Sequence, residues 1–140
     1  MSAGYSGTPL PKKLGLKDGQ KAAFIGLPEN LLWLADSAVF EERAVKPSLT
    51  EDLPAPLDVI HLFTVQSNGL DHALEFLRGR IMRNGMIWIS WPKKSSKVPT
   101  DVTEDVIRAA ALAQGLVDVK VCAVDETWSG LKLVIPKALR

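Results

Sequence analysis

The chain has 140 residues, enough for one domain with a hydrophobic core of ordinary size. Hydrophobic residues make up 46% of the sequence and charged residues 24%, which excludes a disordered composition. Lys and Arg number 17 against 16 for Asp and Glu, so the net charge of +1 gives no general attraction for nucleic acid or for a membrane surface.

The sequence shows no pattern typical of a membrane span or of a signal peptide. No apolar run approaches the ~20 residues of a membrane span, and the beginning, MSAGYSGTPLPKK, lacks the apolar core of a signal peptide. We therefore expect a cytoplasmic protein without a membrane or nucleic-acid partner.

The N-terminal residues differ in composition from the rest of the chain. Residues 1–15 are rich in small residues, Pro and Lys, and we interpret them as an N-terminal arm. Within this arm, residues 10–15 predict one helical turn that ends at a glycine. The remaining residues, 16–140, are predicted to form a single α/β domain.

The first predicted strand and helix follow a turn at residues 17–20. The continuous apolar run 21–27 predicts a buried strand, and proline then opens a helix over residues 31–37. Residues 38–45 alternate imperfectly and predict a second strand. Residues 46–56 contain three prolines and predict a loop.

The middle of the chain carries the strongest periodic signals. Residues 57–65, LDVIHLFTV, are rich in β-branched and aromatic side chains and predict a strand. Leucines at helical spacing predict a helix over residues 70–82, which the glycine of Arg83-Asn84-Gly85 would end. Residues 86–91 predict an apolar strand that stops at Trp91-Pro92.

The last third predicts a helix and a hairpin. A helix is expected from about residue 101 to 114, with Asp101 and Glu104 as an Asp variant of the capping box. The alternating segments 116–124 and 128–135 are joined by a short turn and predict a terminal antiparallel β-hairpin.

This order of elements predicts the fold class. Alternating strands and helices with apolar central strands indicate a mostly parallel sheet with helices on both faces. From DVIHLF through RNGMIWIS to the hairpin, about residues 57–135, the chain resembles the back half of the Rossmann-like class I methyltransferase fold. In that fold too the last strand is antiparallel. We therefore expect a truncated methyltransferase-like α/β fold with a C-terminal antiparallel β-hairpin.

The front half departs from the methyltransferase pattern. Such enzymes hold S-adenosylmethionine with a Gly-rich loop after the first strand and an acidic residue that ends the second. Here the first strand is followed by Gly26-Leu27-Pro28-Glu29-Asn30, which contains one glycine. A phosphate or pyrophosphate cradle needs several glycines so that the backbone can approach its ligand. We therefore assign no cofactor.

Three long motifs identify the chain as a member of a family. SAGYSGTPLPKKLGL, WPKKSSKVPTDVTEDVIR and GLVDVKVCAVDETWSGLKLV resemble a bacterial family of small uncharacterised proteins, domain-of-unknown-function family 3052. The resemblance covers nearly the whole chain. It implies no established activity.

Topology predicts where a ligand site would lie. In open α/β sheets ligands bind outside the carboxyl ends of the strands, and there the loop after Trp91 should face the turn between the last two strands. Ammonium and hydroxyl groups together suit an anion, and the tryptophans suit a flat ligand. A solvated loop whose lysines pair with the acidic turn is the structural alternative. The candidate ligand-binding residues are Trp91, Lys93, Lys94, Ser95, Ser96, Thr100, Asp125, Glu126 and Trp128.

Other chemistry-bearing residues favour structural roles. His61 lies in an apolar strand and is expected to be a satisfied core histidine, and Cys122 is expected to be a small buried hydrophobe. Two distant histidines and one cysteine do not have metal-ligand spacing, and no catalytic residue can be named.

Three functional hypotheses follow from these observations. The first is a non-catalytic α/β domain that binds a small anionic ligand, or a partner, in a cleft at the carboxyl edge of the sheet. The second is an S-adenosylmethionine-dependent transferase of small molecules, with Asp125 or Glu126 as base. The third is a regulatory or structural subunit that forms a homodimer or binds a protein partner through an edge strand. The missing Gly-rich loop favours the first and argues against an enzyme.

Overall fold

Six strands form one sheet in the computed structural model, which describes residues 7–140. The sheet order is β2-β1-β3-β4-β6-β5. Strands β1 to β4 are mutually parallel, whereas β6 is antiparallel to both β4 and β5. The predicted mostly parallel sheet with a terminal hairpin is thereby confirmed. The strands are β1 Lys21–Ile25, β2 Glu42–Lys46, β3 Leu57–Phe63, β4 Ile81–Pro92, β5 Val117–Ala123 and β6 Trp128–Val134.

Residues 7–140 also contain three α-helices and three 3₁₀ segments, of which the first helix precedes β1 and the last 3₁₀ segment follows β6. The helices α2 and α3 pack on one face of the sheet through side chains at helical spacing, among them Leu70, Leu74 and Leu77 of α2. None of the helices in residues 7–140 is long and apolar enough to cross a membrane. The helices are α1 Leu10–Lys13, α2 Leu70–Arg78 and α3 Glu104–Ala113, and the 3₁₀ segments are Glu29–Asp36, Lys94–Ser96 and Lys137–Leu139.

Two hydrophobic cores lie on opposite faces because strand side chains alternate. On β3, Ile60 and Leu62 join the first-face core beneath α2 and α3. Val59 and Phe63 join the second-face core. Burial on both faces explains why the inner parallel strands β1 and β3 have nearly continuous apolar sequences.

The second-face core is covered by short elements. Leu14 and Leu16, which follow α1, and Leu31 and Leu34 of the 3₁₀ segment pack there around Trp88 of β4. The indole Nε1 of Trp88 donates a hydrogen bond to the Leu14 carbonyl at 3.0 Å. Residues 10–16 therefore pack into the fold, with the predicted helical turn at Leu10–Lys13. Residues 1–6 of the predicted arm lie outside the described residues.

Two predicted boundaries are wrong. The helix predicted over residues 70–82 ends at Arg78, and β4 begins at Ile81, five residues before the predicted strand. Gly85 was predicted to end the helix but lies inside β4, where an added Cβ would meet the Leu57 and Met82 carbonyl oxygens at 3.0 Å. Ile81 is buried beside α2 and pairs with Leu57 in the sheet, so it satisfies both a helical and a strand pattern.

The segment after β1 also differs in detail from the prediction. The helix predicted over residues 31–37 is a 3₁₀ helix, Glu29–Asp36. The strand predicted over residues 38–45 is β2, Glu42–Lys46, which lies at the edge of the sheet next to β1. An edge strand has one neighbour and little burial, so its sequence pattern is weak.

Candidate functional site

Two loops meet at the carboxyl edge of the parallel strands, as topology predicted. β4 ends opposite the start of β6, with Pro92 paired to Trp128. The backbone N–H of Lys93 donates to the Thr127 carbonyl at 2.8 Å. The loop after Trp91 and the turn at 125–127 are therefore direct neighbours.

Asp125 organises this turn with its carboxylate. Its Oδ1 accepts hydrogen bonds from the backbone N–H groups of Thr127 at 2.8 Å and Trp128 at 2.7 Å, an arrangement typical of aspartate in turns. Its Oδ2 accepts from Asn30 Nδ2 at 3.2 Å. Asn30 follows β1, which is separated from β6 in the sheet by β3 and β4. The Asn30–Asp125 bond therefore bridges two distant parts of the edge.

The loop after β4 uses some of its polar groups to hold itself and the turn. Lys93 Nζ donates to the Asp125 carbonyl at 2.6 Å. Ser96 Oγ donates to the Lys93 carbonyl at 2.6 Å and accepts from the Val98 N–H at 3.2 Å. The ammonium of Lys93 and the hydroxyl of Ser96 are thus engaged within the chain.

The remaining predicted residues of this loop and turn face solvent. Lys94 and Ser95 are exposed, as is Glu126 in the neighbouring turn. Lys97, which was not among the predicted residues, is also exposed and adopts a left-handed backbone with φ of 61°. Lys94 and Lys97 form no ion pair or side-chain hydrogen bond with any residue from 7 to 140.

The two candidate tryptophans lie on opposite faces of the sheet. Trp91 is 8% exposed and belongs to the first-face core. Trp128 is half-buried on the second face, where its ring meets Phe63 edge-on with centroids 5.2 Å apart. The geometry does not bring them together as one stacking platform. Their faces depend on strand register, which the sequence alone does not give.

Thr100 and Asp101 tie the segment before α3 to the loop after β3. Thr100 Oγ1 donates to the Val65 carbonyl at 2.6 Å. The Asp101 carboxylate accepts from the Ser67 N–H at 2.8 Å and from the Ser67 hydroxyl at 2.5 Å. These hydrogen bonds from Ser67 hold the pKa of Asp101 below its ordinary value.

The predicted capping role of Asp101 is wrong. Helix α3 begins at Glu104, and its N-cap is Thr103, whose hydroxyl accepts from the Val106 N–H at 3.1 Å. The sequence contains both candidates, and threonine followed by two acidic residues is a good start signal. Asp101 does not cap the helix because its carboxylate binds Ser67, which lies 34 positions away in the chain.

Replacing Asp101 with alanine is expected to loosen the loop after β3. The Ser67 N–H would lose its only hydrogen-bond acceptor among the described residues, and an amide without an acceptor exchanges its hydrogen faster. Hydrogen exchange followed by mass spectrometry measures this at residues 64–68. Exchange in β3 should stay unchanged, and equal acceleration in both segments would contradict a local role for Asp101.

A cavity of about 560 Å³ lies on the second face beside the turn at residues 125–127. It is of the size of small-molecule sites. Sequence reasoning missed it because its walls come from three separate segments. The available signal was the run Leu31-Leu32-Trp33-Leu34, which is more apolar than one helix face can bury, and Trp33 is 48% exposed. The lining residues are Pro9, Leu10, Pro11, Asn30, Leu31, Trp33, Val124 and Asp125.

A buried histidine–serine pair lies between β3 and β4. His61 Nε2 is 2.6 Å from Ser90 Oγ, and both residues are buried. The imidazole stacks on Phe63 with ring centroids 4.3 Å apart. Burial lowers the pKa of His61 to about 3. The buried position of His61 agrees with the prediction. Its hydrogen bonding is only partly satisfied, because Nδ1 has no partner among the described residues.

Cys122 and the acidic residues do not form a metal site in the described part of the chain. Cys122 is partly buried, and burial raises the pKa of its thiol. No group of three or more His, Cys, Asp or Glu side chains in residues 7–140 is arranged to hold a metal ion.

Comparison with known families gives a specific match. Residues 12–137 match the family described as "Protein of unknown function (DUF3052)". This chain belongs to the DUF3052 family. No curated protein sequence matches this DUF3052 protein.

Solved structures similar to the DUF3052 protein are methyltransferase-like in fold. A SAM-dependent methyltransferase from Aquifex aeolicus has 18% identity and a TM-score of 0.66, and the match covers 89% of this chain and 87% of that one. A magnesium protoporphyrin IX methyltransferase from Synechocystis PCC 6803, solved with bound SAM, has 12% identity and a TM-score of 0.61, over 85% and 71% of the two chains. At these identities the comparison shows the fold alone.

Two features of this DUF3052 protein depart from the S-adenosylmethionine-binding pattern of that fold. The single glycine after β1, Gly26, has φ of +72°, and a Cβ there would lie 2.9 Å from the Phe63 carbonyl oxygen. The position that a side chain of residue 26 would take is therefore occupied by the backbone of β3. The last residue of β2 is Lys46, which pairs with Asp52 at 3.1 Å, so a cation stands where the methyltransferase pattern has an acid.

Proposed function

We propose that this protein is a non-catalytic α/β domain that binds a small anionic ligand at the carboxyl edge of its sheet. One observation carries the proposal: Asp125, Ser96 and Thr100, which have groups suited to acid–base or nucleophilic work, already hold the chain together at this edge, whereas Ser95 and Glu126 face solvent. The Asp125 carboxylate accepts three hydrogen bonds. Ser96 and Thr100 donate their hydroxyls to backbone carbonyls.

The exposed lysines of the same loop support anion recognition. Lys94 and Lys97 flank Ser95 and Ser96 in a tight turn that hydrogen bonds of Lys93 and Ser96 hold in place. Their ammonium groups have no carboxylate partner among the described residues. Anions gain most from cations whose own side chains are free to reach them, and phosphate or carboxylate oxygens accept such hydrogen bonds strongly. Lys94 and Lys97 are therefore the proposed anion contacts.

Replacing both lysines with methionine is expected to abolish the thermal stabilisation that inorganic phosphate or sulfate gives. A ligand at about 100 times its dissociation constant adds roughly 2.7 kcal/mol to the free energy of unfolding, which raises Tm by several degrees. Thermal unfolding is measured with inorganic phosphate and with sulfate for the wild type and for Lys94→Met/Lys97→Met.

The control variant removes the same amount of charge elsewhere. Arg43 and Lys46 lie on the edge strand β2 and pair with Asp36 and Asp52. The variant Arg43→Met/Lys46→Met should keep the ligand-induced rise in Tm. If both double variants lose it equally, net charge rather than the loop binds the anion, and the proposal fails.

An S-adenosylmethionine-dependent transferase is the second candidate, and the likeness of fold favours it. The environment of Gly26 and the cation at Lys46 argue against it. Calorimetric titration with S-adenosylmethionine decides between them. Saturable binding at micromolar concentration would revive the transferase, whereas absence of heat at millimolar concentration would leave the non-catalytic domain.

A protein partner or a second copy of the chain is the remaining candidate. Val119 and Val121 of the edge strand β5 are 51% and 45% exposed, which favours contact through this strand. Light scattering after size exclusion tests the homodimer. A monomer at every concentration would remove that form of the hypothesis.

A further inference from the structure

Two lysines stand directly opposite each other on neighbouring strands of the terminal hairpin. Lys120 of β5 is paired with Lys132 of β6. Lys132 is in turn opposite Trp88, whose side chain belongs to the second-face core. Because directly opposite residues share a face of the sheet, both ammonium groups lie on the second face. Like charges in this arrangement repel and destabilise the strand pair.

Two further cations influence the charge state of Lys132. The pKa of Lys132 is lowered by partial burial and then by the charges of Lys120, Arg140 and Lys17. Arg140 is placed by a hydrogen bond from its Nε to the Ile135 carbonyl at 2.8 Å. Lys17 follows Leu16, which packs in the second-face core together with Cys122 of β5. We call Lys17, Lys120, Lys132 and Arg140 the hairpin basic cluster.

Acidic partners are missing from this cluster in the described part of the chain. Some cations outside the cluster do have such partners: Lys21 pairs with Glu41 at 3.5 Å and Lys46 with Asp52 at 3.1 Å. No carboxylate of residues 7–140 forms an ion pair with a member of the cluster. Asp118, which lies two residues before Lys120 on β5, binds Arg108 of α3 instead.

Protection of the sheet edge explains only part of the cluster. A lysine on an edge strand hinders pairing with other chains, and this accounts for Lys120 on β5. It does not account for Lys132, because β6 is an inner strand between β4 and β5. Nor does it account for the approach of Lys17 and Arg140 from segments outside the hairpin.

We propose that the hairpin basic cluster binds a compact polyphosphate group, such as pyrophosphate or the phosphates of a nucleotide. Opposite strand residues are only about 5 Å apart at Cα, so Lys120 and Lys132 project from a small area of the sheet instead of lying along an extended surface. The net charge of +1 gives no general field for a long polyanion. This site lies on the second face of the hairpin and is separate from the Lys94–Lys97 loop.

Calorimetric titration with pyrophosphate tests the proposal. The wild type is compared with Lys120→Met/Lys132→Met, in which methionine keeps the apolar stems and also removes the repulsion. Binding is expected to weaken about 100-fold, since each charge-assisted contact contributes about tenfold. The charge-matched variant Arg43→Met/Lys46→Met should bind as the wild type does. Equal weakening in both variants, or none in the first, would overturn the proposal.

The two proposed sites are separated by a third variant. Lys94→Met/Lys97→Met should keep pyrophosphate binding at the hairpin basic cluster. If this variant loses all pyrophosphate binding and Lys120→Met/Lys132→Met keeps it, the anion site is the loop alone and the cluster proposal fails. If a short single-stranded oligonucleotide or a polyglutamate peptide binds more tightly than pyrophosphate, the compact ligand class is overturned.

Cys122 provides a readout that does not require a variant. Lys13 and Lys120 lower the pKa of its thiol against the larger effect of burial. A bound polyphosphate would neutralise Lys120, raise the thiol pKa and slow alkylation by iodoacetamide, a neutral reagent. Slower alkylation that saturates with the calorimetric dissociation constant supports the proposal. An unchanged rate at saturating pyrophosphate would place the ligand away from Lys120 and contradict it.

Discussion

Replacing Gly26 with alanine is expected to lower the free energy of unfolding by about 3 kcal/mol. Gly26 has φ of +72°, a left-handed conformation that costs other residues roughly 1–2 kcal/mol. The new Cβ would also lie 2.9 Å from the Phe63 carbonyl oxygen, which belongs to the backbone of β3 and cannot swing aside. Overpacking of this kind adds about 1–3 kcal/mol. Urea denaturation at neutral pH measures the loss.

Gly19→Ala is the matched control for this prediction. Gly19 also has a left-handed backbone, with φ of +85°, but nothing lies within 4 Å of an added Cβ. Its replacement should therefore cost only the conformational part, about 1–2 kcal/mol. Equal losses in the two variants would contradict the role given to the Phe63 contact.

The surroundings of Gly26 also bear on what this fold can bind. Gly26 stands directly after β1, where the methyltransferase pattern has the loop that holds its ligand. In this chain the space left by the missing side chain is taken by the neighbouring strand. If the prediction is correct, packing against β3 is sufficient to explain the glycine at this position.

The order of the elements along the chain was predictable because it follows from local patterns, and the alternation of strands and helices predicted a mostly parallel sheet. Continuous apolar runs such as 57–63 and 86–91 are typical of strands covered on both faces, and the turn at 125–127 predicts the terminal hairpin. Boundaries failed where one residue satisfies two patterns. Ile81 extends the helical stripe of α2, yet its pairing with Leu57 places it in β4.

The candidate site was predictable only to the level of which loops meet. Topology placed Lys93 beside the turn at 125–127, and the backbone contact between Lys93 and Thr127 agrees with it. The bond from Asn30 to Asp125 joins residues 95 positions apart, and no local signal indicates it. The same holds for the opposite lysines of the hairpin basic cluster, because strand register decides which side chains face each other.

The second large effect is expected at His61, which should make the protein sensitive to acid. The neutral imidazole is buried against Phe63 and bound to Ser90, and its pKa in the folded state is about 3 against 6.5 for the free side chain. Below about pH 6.5 the unfolded chain therefore binds a proton that the folded chain does not. Stability from this group is fully present above that pH and falls by about 1.4 kcal/mol per pH unit on acidification.

The variant His61→Gln isolates this contribution. Glutamine keeps an amide that can reach the Ser90 hydroxyl but does not titrate, while every other titrating group is common to both proteins. The difference in free energy of unfolding between wild type and variant should change by about 3 kcal/mol between neutral pH and pH 4.5. Urea denaturation across this range measures it.

Ser90→Ala distinguishes the titration from the hydrogen bond. This variant loses the partner of Nε2 and should lose about 1–3 kcal/mol at all pH values, yet it keeps a buried imidazole and therefore the same slope with pH. If the free energies of unfolding of the wild type and of His61→Gln change in parallel with pH, the folded protein accommodates the charged imidazolium. In that case Nδ1, which has no protein partner among the described residues, would have to reach water, and the second-face core around His61 would be less closed than its burial indicates.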